Sequence, residues 1–174
     1  MSEQTERLQR LEAALQTQGK TWRWAPVVEA IQGLRGVQFT VAITLSAEVG
    51  ALSRFENPRH LMSYWGLTPR AHSSGARRRQ GALTTTGNSH ARRALVAGAW
   101  ASRYPATVSR HLPLRLEKLP TALQDISWKA QVRLCKRYRR LVARGKNANQ
   151  VVIALARARA AFVGASARTV EVPQ

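Results

Sequence analysis

The sequence predicts an all-α protein: a helical domain containing a helix-hairpin-helix, preceded by an amphipathic helix and interrupted by a long basic loop. Three observations predict it. Apolar residues recur at helical spacing in successive segments; Asn, Pro and Gly fall where such segments begin and end; and one glycine-rich basic stretch breaks the pattern.

Residues 3–19 place Leu8, Leu11, Ala14 and Leu15 on one face with charges opposite, and Gly19 closes the run. That apolar face needs a partner. Pro26 suits the first turn of a second helix, which reaches Ile31 and enters the turn Gly33-Leu34-Arg35-Gly36-Val37. Val41, Ala42, Leu45, Ser46 and Val49 form a third helical run, closed by Gly50. Asn57-Pro58 reads as a cap followed by proline at the first helical position, ahead of Leu61, Met62 and Trp65.

Residues 66–86 carry a proline, several glycines and the string His72 to Gly81 with Arg77, Arg78 and Arg79, and show no core pattern. A long basic loop is expected there, and loops of that length in compact domains are commonly functional. Asn88 or Ser89 then caps a helix from His90 to Ser102. Pro105, Pro113 and Pro120 mark a connector, and two basic amphipathic helices follow at about 121–144 and 147–163, separated by Gly145-Lys146-Asn147. The expected divisions are an N-terminal helix over 1–24, a main domain over 25–104, the connector over 105–120, the basic helices over 121–165 and a disordered tail over 166–174.

Hydrophobic residues make up 44% of the 174, so the chain can bury a core. Charge is the unusual feature: 28 Lys and Arg against 9 Asp and Glu give a net +19. So basic a fold repels itself until a polyanion neutralises it, and guanidinium forks match phosphate oxygens. Nucleic acid, above all DNA, is the expected partner. No stretch approaches roughly 18 apolar residues, so no membrane partner is expected. The polar start Met1 to Gln18 does not resemble a secretory signal, and a cytoplasmic, nucleoid-associated location follows as an expectation. Cys135 is alone, which leaves no disulfide framework and no cysteine metal site; its spacing from Trp128 and Val132 marks a core position.

The Gly33 to Val37 turn has two readings. In a helix-hairpin-helix, Gly33 and Gly36 free backbone amides to hold a DNA phosphate, with Arg35 beside them; in an ordinary turn the glycines serve helix packing. The five tryptophans sit mostly at apolar helix positions and read as core, with Trp22 and Trp24, flanking Arg23, the two best placed to stack on bases.

The ordered set Gly33 to Val37, Ala47-Glu48-Val49-Gly50, Ser53-Arg54-Phe55, Leu61 to Pro69 (LMSYWGLTP), Ser73-Ser74-Gly75, Gly81 and Gly87-Asn88 with Arg92-Arg93 resembles the C-terminal domain of insertion-sequence 110/116/902 transposases. Gly145-Lys146-Asn147 with Ala154 to Arg157 is similar to that family's terminal motif. The resemblance implies a DNA recombinase in which a RuvC-like domain supplies four metal-binding acids and this domain supplies a serine nucleophile. Ser74 matches the nucleophile, with Ser73 as substitute. Arg77, Arg78 and Arg79, with Asn88, Arg92 and Arg93, complete the implied DNA contacts, the arginines countering charge at phosphorus. His72 is the nearest potential base by sequence and is assigned no role.

The chain departs from the family at Ala51, where an acid often follows the glycine, and in its acids overall: Asp125 is the sole aspartate, and no tetrad can be assembled. Glu48 reads as a helix-end or ion-pair residue. The chain is therefore expected to lack the RuvC-like domain, to bind no metal or other cofactor itself, and to need magnesium only together with a complete acidic domain. Beyond DNA, the implied partners are a guide (bridge) RNA, a second copy of the chain and a full-length transposase. A non-enzymatic DNA-binding accessory protein and a basic RNA-binding protein stand as alternatives.

Overall fold

In the computed structural model the described residues are 3–74, 77–84, 86–107 and 111–170, with side chains at all of these except 53, 71–80, 82, 111 and 113. The fold is helical, as expected. In chain order its elements are α1 (Glu3–Thr21), α2 (Ala25–Gln32), α3 (Phe39–Val49), α4 (Pro58–Tyr64), β1 (Pro69–Ser74), β2 (Arg77–Leu83), α5 (Ser89–Ala99), α6 (His111–Leu116), α7 (Thr121–Ala143) and α8 (Ala148–Arg168). Short 3-10 turns at Leu52–Arg54 and Trp100–Arg103 complete them.

Helix boundaries follow from local chemistry. The Asn57 side chain accepts from the Arg59 amide at 2.9 Å, Asn88 from the Ala91 amide at 2.9 Å and Asn147 from the Asn149 amide at 2.9 Å. Each satisfies a donor that the first helical turn leaves orphaned.

The core is organised around α8. Its Leu155, Ala156, Ala160 and Val163 are fully buried, and α8 packs against α2, α4, α5 and α7. Ile31, Leu45, Leu61, Trp65 and Leu95 close over it from the first hundred residues. The basic C-terminal helices and the 25–104 segment thus share one core. By length and composition α8 could cross a membrane, contrary to the expectation that no segment qualifies; more than half of its apolar window is buried against protein. Its small, apolar side chains suit a central helix equally well.

Three further expectations need correction. The long basic loop is a two-stranded antiparallel hairpin, β1 with β2. Its strands show no period-two alternation of apolar residues in the sequence, which is the signal that would have betrayed them. The expected disordered tail begins too early, since α8 runs on to Arg168 with Ser166 and Ala167 buried; residues 171–174 lie outside the described ones. Trp128, read as core, is 49% exposed on α7 beside exposed Val132. On α1, Leu8 and Leu11 are 57% and 60% exposed, so the apolar face finds no cover within the described chain; contact comes at its end, where Gly19 lies against Phe39 and Ile43.

Candidate functional site

The hairpin brings the serines opposite the arginines. Its register pairs His72 with Arg79, Ser73 with Arg78 and Ser74 with Arg77, while Gly75 and Ala76 lie outside the described residues. The serine pair and the three-arginine run, separate in sequence, become cross-strand neighbours.

The hairpin's base is fixed to the helical body. The Thr84 amide donates to the Thr68 carbonyl at 2.9 Å, and the Asn88 amide to the Tyr64 carbonyl at 3.2 Å. Arg92 Nη1 reaches the Trp65 carbonyl at 3.3 Å, so this half-buried arginine braces the junction of α4 and α5, whereas Arg93 is exposed. Asn88 does double duty: besides capping α5, its Nδ2 donates to Glu48 Oε2. Glu48 sits in the last turn of α3, and its carbonyl accepts from the Tyr64 hydroxyl at 3.1 Å.

The glycine turn between α2 and α3 is tied into the fold through its carbonyl groups. Gly33 O accepts from Ser127 Oγ at 2.5 Å, Arg35 O from Arg159 Nη1 at 2.7 Å and Val37 O from Arg115 Nη1 at 3.3 Å. The Gly33 and Leu34 amides donate back to the Ala30 and Ile31 carbonyls of α2, and the Val37 amide donates to the Leu34 carbonyl. Gly36, with φ of +80°, lies against Gly98, where a Cβ would come within 2.3 Å of the Gly98 carbonyl oxygen. The Arg35 side chain points inward to the Pro105 carbonyl at 2.6 Å and to Cys135 Sγ at 3.9 Å. Gly33, Arg35 and Gly36 thus help pack the turn into the fold.

Arg159, in the basic helix α8, is 2% exposed. Besides Arg35 O it holds Ser102 Oγ at 3.3 Å, and its Nε finds no protein acceptor. Burial lowers its pKa to about 10, with Cys135 opposing that shift and Arg35 adding to it. Helical phase separates it from Arg157: two residues turn a helix by about 200°, so one arginine faces the core and the other does not.

Among the described residues no three His, Cys, Asp or Glu side chains converge as metal ligands. Trp22 and Trp24 are half-buried against the core, with the Arg23 guanidinium 5.0 Å from the Trp24 ring centroid.

A basic helical domain with an arginine-serine hairpin anchored beside α4 and α5 is the class that these features define. Residues 28–111 match the Transposase IS116/IS110/IS902 family, and the chain carries a domain of that transposase family. A Sinorhizobium fredii protein named "Putative transposase y4qE" is 45% identical over 147 residues, which cover 84% of this chain and 38% of that protein. The "Transposase for insertion sequence element IS1111A" of Coxiella burnetii is 34% identical over 71 residues, 41% of this chain and 20% of that protein. The chain thus spans well under half the length of these relatives.

Proposed function

We propose that this chain is the DNA-handling part of a transposase recombinase and carries its serine nucleophile, Ser74. The observation that carries the reading is the hairpin register, which sets Arg77 opposite Ser74 and Arg78 opposite Ser73. In the proposed step the Ser74 Oγ attacks the phosphorus of a phosphodiester, the bond to the leaving deoxyribose oxygen breaks, and the hydroxyl proton passes to that oxygen. DNA is left esterified to the serine, and the free hydroxyl is available to reverse the step on another strand.

A serine hydroxyl needs activation, and cations must offset the charge gathering at phosphorus. Arg77, Arg78 and Arg79 are assigned that second task, with exposed Arg93 on DNA nearby; Arg92 and Asn88 position the hairpin's base. Activation is assigned to an acidic domain with magnesium, carried by a longer form of the protein or by a full-length transposase partner. A guide RNA and a second copy of the chain belong to the same reading, as does a place at the bacterial nucleoid.

The test is a suicide-substrate assay on DNA bearing an element end, with magnesium, and with the full-length transposase added or omitted. A covalent protein–DNA adduct is expected with the wild type and not with Ser74→Ala. An adduct that survives Ser74→Ala but not Ser73→Ala moves the nucleophile by one residue. Salt-sensitive binding with no adduct in any arm makes the chain a DNA-binding module without catalysis.

A further inference from the structure

A groove runs along α8 between the base of the hairpin, α7 and α4. It comprises two adjoining hollows of about 670 and 460 Å³ that share Ala154 and Arg157. Lys146 stands near one end, Arg168 near the other, and Arg133 and Arg137, one helical turn apart on α7, line the wall. No Asp or Glu is among the described residues lining it.

Arg137 and Arg157 meet in this groove half-buried, and the Nε of each finds no protein acceptor. Desolvation, and then Arg137, lower the pKa of Arg157. Two like charges held together partly shielded from bulk water, without a carboxylate, are an unfavourable arrangement that an anion between them would relieve. Arginine pairs of this kind suit phosphate, whose oxygens accept from both forks. The floor is apolar, with Ala154 at the junction and Phe162 further along. Cationic walls over an apolar floor with an aromatic are the chemistry of single-strand binding: cations track the backbone and bases lie on apolar surface. Hollows of this size match the sites that hold small ligands, the scale of one or two nucleotides.

We infer that this groove is a track for single-stranded DNA in which Arg137 and Arg157 together hold one phosphate. The inference rests on the proposed handling of DNA strands, since strand exchange must free a single strand, and it adds a second binding surface to the hairpin.

The test measures binding of the whole chain to a short oligothymidylate, the matching oligouridylate and a duplex of the same length, across a salt series. Arg137→Gln/Arg157→Gln is compared with Arg7→Gln/Arg10→Gln, which removes the same charge from exposed α1. The groove pair is expected to weaken oligothymidylate binding about tenfold and to lower its log–log salt slope by about 0.7, the share of one phosphate on a single strand, against under about twofold for the α1 pair. Equal losses in the two pairs overturn the groove, as does a loss confined to duplex or to RNA. In the wild type, oligothymidylate should also protect the peptides holding Arg137 and Arg157 from an arginine-modifying dicarbonyl, while Arg7 and Arg10 stay reactive. Protection of neither groove peptide overturns the inference even if the double variant fails to fold. Duplex binding that persists through the hairpin while every groove arm is negative leaves the proposed function standing and removes only the track.

Discussion

Arg159 Nη1 donates to the carbonyl oxygen of Arg35 at 2.7 Å, joining α8 to a turn 124 positions earlier in the chain. This bond, with Ser102 on its other side, ties three parts of the fold at one buried cation. Arg159→Ala should cost about 3 kcal/mol in urea unfolding, through the cavity it leaves and the carbonyl it orphans. Ser102→Ala, which removes one weaker bond, should cost about 1 kcal/mol.

The same residue predicts a pH effect of definite sign. With its folded-state pKa lowered to about 10, the unfolded chain holds more protons than the folded one from there up to the ordinary arginine value. Stability from this group therefore rises with pH across that window, its burial penalty being fully present below about pH 10. Between pH 8 and 11 the wild type should gain about 1.4 kcal/mol relative to Arg159→Met. A constant difference between the two proteins would contradict the lowered pKa.

Gly36 and Gly98 touch backbone to backbone, and Gly36 also holds a positive φ. Gly36→Ala should lose about 3 kcal/mol or fail to fold, because the new Cβ meets a carbonyl oxygen that cannot swing aside. Gly145→Ala, at φ of +72° with open space around it, should lose only about 1 kcal/mol. Thermal melts of the two variants make the comparison.

Asn88→Ala should cost about 1–2 kcal/mol by removing a helix cap and the Glu48 hydrogen bond together. Asn88→Ser keeps a capping oxygen and should recover roughly half of that by chemical denaturation.

Replacing Arg77, Arg78 and Arg79 with alanine should flatten the salt dependence of duplex binding, by about 0.9 in log–log slope for each DNA phosphate that the hairpin ceases to neutralise. An unchanged slope would take the hairpin off the DNA.

What the residues disclosed beforehand follows from how local the signal is. Asn57-Pro58, Asn88 and Gly50 declared helix ends because capping is decided within a few residues, and α7 and α8 appeared near their observed spans. The serine-arginine site was legible as a set of residues but not as a hairpin, since pairing between two polar strands leaves no mark on apolar periodicity. Charge was harder still. Arg35 reads in sequence as a neighbour of a phosphate, and only tertiary packing sets its guanidinium on the Pro105 carbonyl and buries Arg159. Trp128 erred the other way: an apolar position on a helix has no core unless another element comes to cover it.

The place of α8 in the chain has a consequence for how the protein comes into being. Residues 25–103 expose the apolar faces of α2, α4 and α5 until Ala148–Arg168 arrives to fill the space between them. At synthesis rates of about 5–20 residues per second, the nascent domain waits roughly 3–13 s for its last helix. A ribosome that stalls in that interval releases a sticky intermediate, and a fragment cut to the family-matched 28–111 segment would be a client for chaperones rather than a folding unit.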